Sequence, residues 1–314
     1  MDELDLEKKY SQEEIDELFK EVPHNHEDAE KIGYSDYSYW KSVFQNFLKN
    51  KPAVILLILF IVLVVFSFIA LSIGKHDLSY MVADNKFIKP NGEFWFGTDN
   101  LGRDYWARVW YACQISIRLA LVVALGEAVI GVAIGCLWGY VRSLDRPLTE
   151  LYNLINNIPT IIYMTLVSFI LGRSFWSMAG ALIMFGWLGM ARNIRNLVIM
   201  YRDREYNLAS RCLGTPVLRI LTKNLVPYLI SVIILRLALS IPNTIGLEST
   251  LSYLGLGLDD QMPSLGLLLS RARTSFMSFP YLLIFPAGIV SIITITFYLV
   301  GNAFSDASDP RNHV

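Results

Sequence analysis

The chain has 314 residues, of which 54% are hydrophobic and only 18% charged, against roughly 25% charged in an ordinary soluble domain. Its mean hydropathy is +0.41, and its formal net charge of −1 comes without a basic block. These values argue against a soluble globular enzyme and against a nucleic-acid binder, and for a polytopic membrane protein with every regular element helical.

The charges divide sharply along the chain. Residues 1–51 carry 13 Asp/Glu and 7 Lys, while residues 52–314 carry 15 acids and 20 bases among long apolar runs. In the acidic leader, residues 1–37, Ser11 and Glu14 form a capping box ahead of Ile15, Leu18 and Phe19. That pattern predicts a short amphipathic helix over 12–21, marginal by itself, with docking on a cytoplasmic partner as the alternative. His24 and His26 belong to the same solvated stretch, and no Cys/His spacing of a metal site accompanies them. From 38 to 51, Trp40, Val43, Phe44, Phe47 and Leu48 recur at helical spacing beside Lys41, Lys49 and Lys51. Such a helix lies in the membrane interface, its aromatic face in the acyl boundary and its lysines near anionic headgroups.

Pro52 then opens the first span, whose apolar run Ala53 to Ile73 holds 21 residues without a charge. At 1.5 Å per residue it reaches about 30 Å, enough to cross a bilayer core, and it is too long and too far from the start for a signal peptide. An extracytoplasmic loop is expected over 74–115. A five-helix core follows over 116–305, with spans at 116–141, 150–171, 176–191, 228–248 and 281–303, and a cytoplasmic tail at 306–314. Six spans put both termini on one side. With that side cytoplasmic, cytoplasmic segments hold 17 Lys/Arg against 8 outside, as the positive-inside rule favours. Gly131, Gly135 and Gly139 give the second span a smooth face for close helix packing within the protein, with a homodimer seam as the alternative. Pro159, Pro242 and Pro286 interrupt three others, and the carbonyls they free need protein or a wet cavity. Cys113, Cys136 and Cys212 fall in unrelated contexts and form no disulfide framework.

The segment from Arg192 to Pro227 holds seven bases against Asp203 and Glu205. Asp203 can cap a helix of about ten residues, Gly214 can end it, and Thr215-Pro216 can start the next. A short capped helix shown between two spans reads as a docking element, which a merely basic loop would not need.

Here the residues carry a resemblance. The stretch Arg204 to Gly214, with Pro227 thirteen residues on, resembles the EAA loop of binding-protein-dependent ABC importer permeases, and within them the OppC/DppC-like oligopeptide/dipeptide branch. The run from Phe96 to Asp104, the run from Glu248 to Gly257, Pro263-Ser264-Leu265-Gly266 and the tail Asp306 to Arg311 fit in order and spacing. The similarity covers roughly residues 40–311. It implies the type I ABC importer permease fold, a homologous second permease, two cytoplasmic ABC ATPases, an extracytoplasmic substrate-binding lipoprotein and a peptide substrate. It also implies a bacterial plasma-membrane location. By position, Glu205, Tyr206, Ala209, Ser210, Leu213 and Gly214 fall on the coupling helix that seats in an ATPase groove. The sequence departs from the pattern at Leu208-Ala209-Ser210 for Glu-Ala-Ala, at Val226-Pro227 for Leu-Pro, and at Leu265 for Trp.

Two charges fall deep in apolar spans. Glu127 is about 11 residues below the outer end of span two and Arg236 about eight above the inner end of span five. An unpaired charge there costs about 2.5–3.5 kcal/mol on insertion scales. The expectation is a Glu127–Arg236 pair; the alternative is that either one faces the wet pathway and meets the peptide. Glu248, near the outer end of span five, either meets a substrate amine or accepts bonds at a helix–loop junction.

No G-x-x-x-x-G-K-[ST], H-E-x-x-H or G-x-S-x-G occurs, so catalytic and metal residues are not assigned and no cofactor is expected on this chain. ATP and Mg²⁺ are expected on partner subunits. The reading is an oligopeptide import subunit, with dipeptides, metals or other small solutes as alternative cargo. Outside that class stands a channel or stand-alone secondary carrier, which leaves the capped loop unexplained.

Overall fold

Apolar runs of this length can bury their backbone polar groups in a membrane only as helices. The computed structural model of the chain describes residues 39–308, and every extended regular element among them is helical. The predicted helix over 12–21, His24, His26 and the tail beyond Ser308 lie outside the described residues. The chain divides into two units, Met1–Lys41 and Ser42–Val314, and the second contains the helical bundle.

Helix α1 (Tyr39–Lys49) runs into α2 (Lys51–Ile73). Asn50 separates them, its Oδ1 accepting from the Ala53 N–H while Pro52 occupies the first turn of α2. Val43 and Phe47 of α1 are buried, and the Phe47 ring lies 5.6 Å from Phe304. Phe44 and Leu48 stay exposed, so α1 keeps an unburied apolar face. A loop with one 3₁₀ turn leads to α3 (Tyr105–Tyr140), capped by Asp104, which accepts from the Trp106 N–H. Then come α4 (Arg142–Asn156), α5 (Thr160–Leu171) and α6 (Phe175–Arg202). Two short helices follow, α7 (Glu205–Cys212) and α8 (Val217–Arg219). A π-helical turn, Ile220–Leu225, joins α8 to α9 (Val226–Tyr253). Pro227 has no N–H to give, and before it the ladder widens to five-residue spacing, as from Val226 N–H to the Leu221 carbonyl. Helices α10 (Leu265–Ala272) and α11 (Tyr281–Ala307) complete the order.

Among the described residues, four helices are long and apolar enough to cross a membrane: α2, α3, α8 through α9, and α11. The expected span over 150–171 is instead two helices, α4 and α5, meeting at a bend of 83°. Pro159 is extended (φ −54°, ψ 127°) and cannot continue the α4 ladder. By length and composition the bent pair is either one broken span, which brings the number to five, or a re-entrant loop. The expected span over 176–191 is the apolar start of the 28-residue α6, which carries on through Arg192 and Arg195 to Arg202. Helix α3 begins eleven residues before the expected 116, because Asp104 caps it there.

α3 is the central element. It packs most extensively on α6, and the three glycines make that approach possible. A Cβ on Gly135 would sit 2.6 Å from the Ala191 carbonyl oxygen, and one on Gly139 2.7 Å from that of Arg195. The glycine face therefore serves packing inside the chain. α2 is held to α3 by two polar ties. Trp106 Nε1 donates to the Ala70 carbonyl at 2.8 Å and Gln114 Nε2 to that of Ser67 at 2.9 Å. Around Trp106 and Trp110 an aromatic cluster from the 87–96 loop closes this end, with Phe96 stacked on Phe285 at 3.8 Å.

Candidate functional site

Helix α7 stands at the α6/α8 end of the bundle. Gly214 (φ +73°) ends it. The Thr215 N–H donates to the Ser210 carbonyl and that of Gly214 to Arg211, a Schellman closure that β-carbon sterics reserve largely for glycine. The start differs from expectation. Asp203 ends α6 and Arg204 stands at the α7 cap without a side-chain bond. Asp203 is drawn to the cations instead. It accepts from Arg211 Nη2 at 2.9 Å and from Arg202 Nε at 3.2 Å, and the Arg211 bond holds its carboxyl below the usual carboxylate range, with Arg202 adding to the effect.

Two further ties fix α7 to the long helices. Asn207, fully buried, donates to the Tyr201 carbonyl at 2.9 Å and accepts from Asn224 at 3.2 Å. Arg202 Nη1 donates to the Gly139 carbonyl at 2.7 Å, and Arg211 also reaches the Arg202 carbonyl. A force on α7 is thus handed to α6, to α3 and to the π turn before α9. Sequence reasoning does not reach the roles of Asn207 and the two arginines, because their spacing gives no sign that Asn224 and Gly139 converge on them.

Five of the six loop-motif residues, Glu205, Tyr206, Ala209, Leu213 and Gly214, are exposed, and Leu213 is 85% exposed. Ser210 is half-buried, its Oγ donating to the Tyr206 carbonyl and accepting from Asn224. The Tyr206 ring is 5.8 Å from Tyr228, and burial raises its phenol. Tyr206, Leu208, Leu213 and Leu218 together make an exposed apolar surface on this loop.

A second feature lies within the bundle. Along α9, Arg236, Ser240, Asn243 and Thr250 fall on one face over about 21 Å, and Arg236, Asn243 and Thr250 are exposed. In a membrane, such a stripe requires a wet or protein-lined surface. It opens onto a cavity of about 270 Å³ bounded by Glu127 of α3, Gly186 and Asn193 of α6, and Arg236 and Ser240 of α9. The expected Glu127–Arg236 ion pair is not formed. Glu127 Oε2 accepts from Ser240 Oγ at 2.5 Å, and its Oε1 takes the space that Gly186 leaves by lacking a Cβ. Arg236 Nη2 reaches α6 instead, donating to Asn193 Oδ1 at 3.0 Å. Each charge has a nearer neutral partner on a facing helix.

Glu248 is 1% exposed and away from that face. Its Oε1 accepts from Ser252 Oγ and Ser264 Oγ, each at 2.6 Å, while Ser264 Oγ caps α10 by accepting from the Leu267 N–H. Gly266 leaves room for Oε2. The carboxylate thus sits at the junction of α9 with the loop into α10.

The run from Phe96 to Asp104 builds an ion cluster that the sequence did not disclose. Arg103 binds Asp99 at 2.7 Å and Asp260 at 3.0 Å, and Asp260 also pairs with Arg108 at 3.0 Å and Arg271 at 2.7 Å. Burial alone would raise the Asp260 carboxyl, but the hydrogen bonds from Arg103 and Arg271 bring it below its ordinary value. Only the Asp99/Arg103 spacing hinted at this cluster, because Asp260 lies 157 residues beyond Arg103.

Residues 131–314 match the family described as binding-protein-dependent transport system inner membrane component, and residues 38–90 match the N-terminal TM domain of oligopeptide transport permease C. The oligopeptide transport system permease protein AmiD of Streptococcus pneumoniae is 38% identical, covering 95% of this chain and 98% of that protein. OppC of Bacillus subtilis is 32% identical over 94% of this chain and 97% of its own. The dipeptide permease protein DppC of the same species is 30% identical, over 94% and 93%. Among solved structures, inward-facing conformations of the MetNI methionine ABC transporter superpose with a TM-score of 0.54 at 17% identity, covering 63% of this chain and 94% of that one. At that identity the likeness concerns the fold, which is that of a type I ABC importer permease. Apolar spans, fold and relatives agree that this multi-pass membrane chain belongs to the family of binding-protein-dependent transport system inner membrane components.

Proposed function

We propose that the chain is the permease subunit of an ABC importer for oligopeptides and forms half of the translocation pathway. A homologous second permease completes that pathway, and two cytoplasmic ABC ATPases, which bind ATP and Mg²⁺, drive it. An extracytoplasmic substrate-binding lipoprotein delivers the peptide, and both termini of this chain are cytoplasmic. The observation that carries the reading is α7, a short helix exposed on one side and bonded on the other to α6 and the turn before α9, with Arg202 at the end of α6 passing the connection on to α3. Glu205, Tyr206, Ala209, Ser210, Leu213 and Gly214 form the surface that seats in an ATPase groove. Closure of the ATPases then moves α7 as a rigid body and tilts three long helices with it.

The relatives' names support oligopeptide cargo, and the DppC relative gives dipeptides as the second reading. The test is uptake of labelled peptides of two to six residues into proteoliposomes containing the whole complex and its binding protein. ATP-dependent uptake that Leu213→Asp lowers by about tenfold or more, through burial of a charge in the groove, is the expected result. Uptake unaffected by ATP, or by that substitution, contradicts the reading.

A further inference from the structure

Glu127, Asn193 and Arg236 come from three helices and line one cavity. The cavity lies about 13 residues from the α7 end of α3 and ten from that of α9, about 15–20 Å along each helix from that end. Opposite charges at that depth lower their cost by pairing. These two do not approach within the 4.0 Å of an ion pair, and each is held by a neutral group, Ser240 or Asn193. Both keep bonding capacity. Glu127 uses one oxygen for Ser240, and Arg236 uses one of its five N–H donors for Asn193. The site is therefore electrostatically divided, with an acceptor of cations and a donor to anions facing one space.

We infer that this cavity is a binding subsite for a short zwitterionic peptide, with Glu127 receiving the α-ammonium and Arg236 the α-carboxylate. The inference rests on the import reading and deepens it. A neutral solute would leave both charges unmatched, and a singly charged one would leave one; a peptide with free ends satisfies both. Gly189, with open space where a Cβ would stand, keeps part of the α6 wall bare, so a peptide backbone can lie close to it. About 270 Å³ falls just below the range of about 300–1,000 Å³ for drug-sized ligands, a fit for two or three small residues.

The test uses the complete complex in proteoliposomes and labelled trialanine in three forms: free, N-acetylated and C-amidated. A charge-assisted hydrogen bond is worth roughly tenfold or more in binding, so the unmodified complex is expected to favour free trialanine over each capped form by about that factor. Glu127→Gln collapses the free-to-acetylated ratio toward one and leaves the free-to-amidated ratio; Arg236→Gln does the converse. The charge-keeping Glu127→Asp and Arg236→Lys hold both ratios. Because the binding protein is the same throughout, its own preference cancels between variants. Unchanged ratios in both neutral variants, or an equal fall for all three peptides, overturn the subsite, as does an unmodified complex indifferent to capping. A complex that imports no peptide at all overturns the import reading, and the subsite with it.

Discussion

Two glycines separate steric from conformational constraint. Gly214 has open space around its missing Cβ but φ of +73°, whereas Gly266 would push a Cβ onto Glu248 Oε2 and within 2.7 Å of the Ser249 Cα. Alanine at 214 costs only the left-handed backbone, about 1–2 kcal/mol. Alanine at 266 forces Glu248 off its two serines and leaves a buried carboxylate short of donors, which costs more than Gly214→Ala. Thermal unfolding of the detergent-purified chain checks this: the Gly266→Ala midpoint is expected well below that of Gly214→Ala, and equal midpoints would refute the role of Glu248 at the junction. At this scale the sequence was legible where the requirement is local. Gly214 announced a helix end because glycine followed by Thr-Pro has few other uses. The partners of Glu127 and Arg236 were hidden, since which neutral group lies nearest depends on how three helices rotate about their axes.

The elements were legible where apolar composition sets them and less so where polar contacts set their ends. α2 matches its apolar run almost residue for residue. The bent pair α4/α5 reads as one span in the sequence because Leu151, Leu154, Ile155 and Ile158 merge the amphipathic end of α4 with the apolar α5. Two predictions belong here. First, Gly135→Ala drives α3 from α6 and is expected to destabilise the chain by about 1–3 kcal/mol. Gly180→Ala, with nothing within 4 Å, is expected to gain up to about 1 kcal/mol of helix propensity; thermal midpoints of the two proteins decide it. Second, the tie between Asp203 and Arg211 makes the loop acid-sensitive. The Asp203 carboxyl lies below its unfolded value of about 3.9. Its contribution is therefore fully present above about pH 4 and is lost as pH falls through the lowered folded value. A spin label on exposed Cys212, the other two cysteines being buried, is expected to gain motion as pH drops from 5 through the lowered folded value of Asp203. Asp203→Asn should be mobile throughout; a variant that still titrates over that range would remove Asp203 from the explanation.

At the scale of the whole molecule, this subunit has two working ends and a polar line between them. α7 presents apolar side chains at one end, and the Asp99–Arg103–Asp260 cluster locks the 96–104 loop to the segment before α10 at the other. Between them runs the α9 face with its charged cavity. A stripe of that polarity needs a second wall, and a groove of about 520 Å³ between α3 and the start of α9 is almost wholly apolar. The chain thus reads as one half of a larger assembly. The most direct test of that claim is mass spectrometry of what co-purifies with the tagged full-length chain from native membranes in mild detergent, after crosslinking through Cys212. A second permease, two ABC ATPases and a substrate-binding lipoprotein are the expected companions, with Cys212 joined to an ATPase. Recovery of the chain alone or as a homodimer, with no ATPase crosslinked, would contradict that claim.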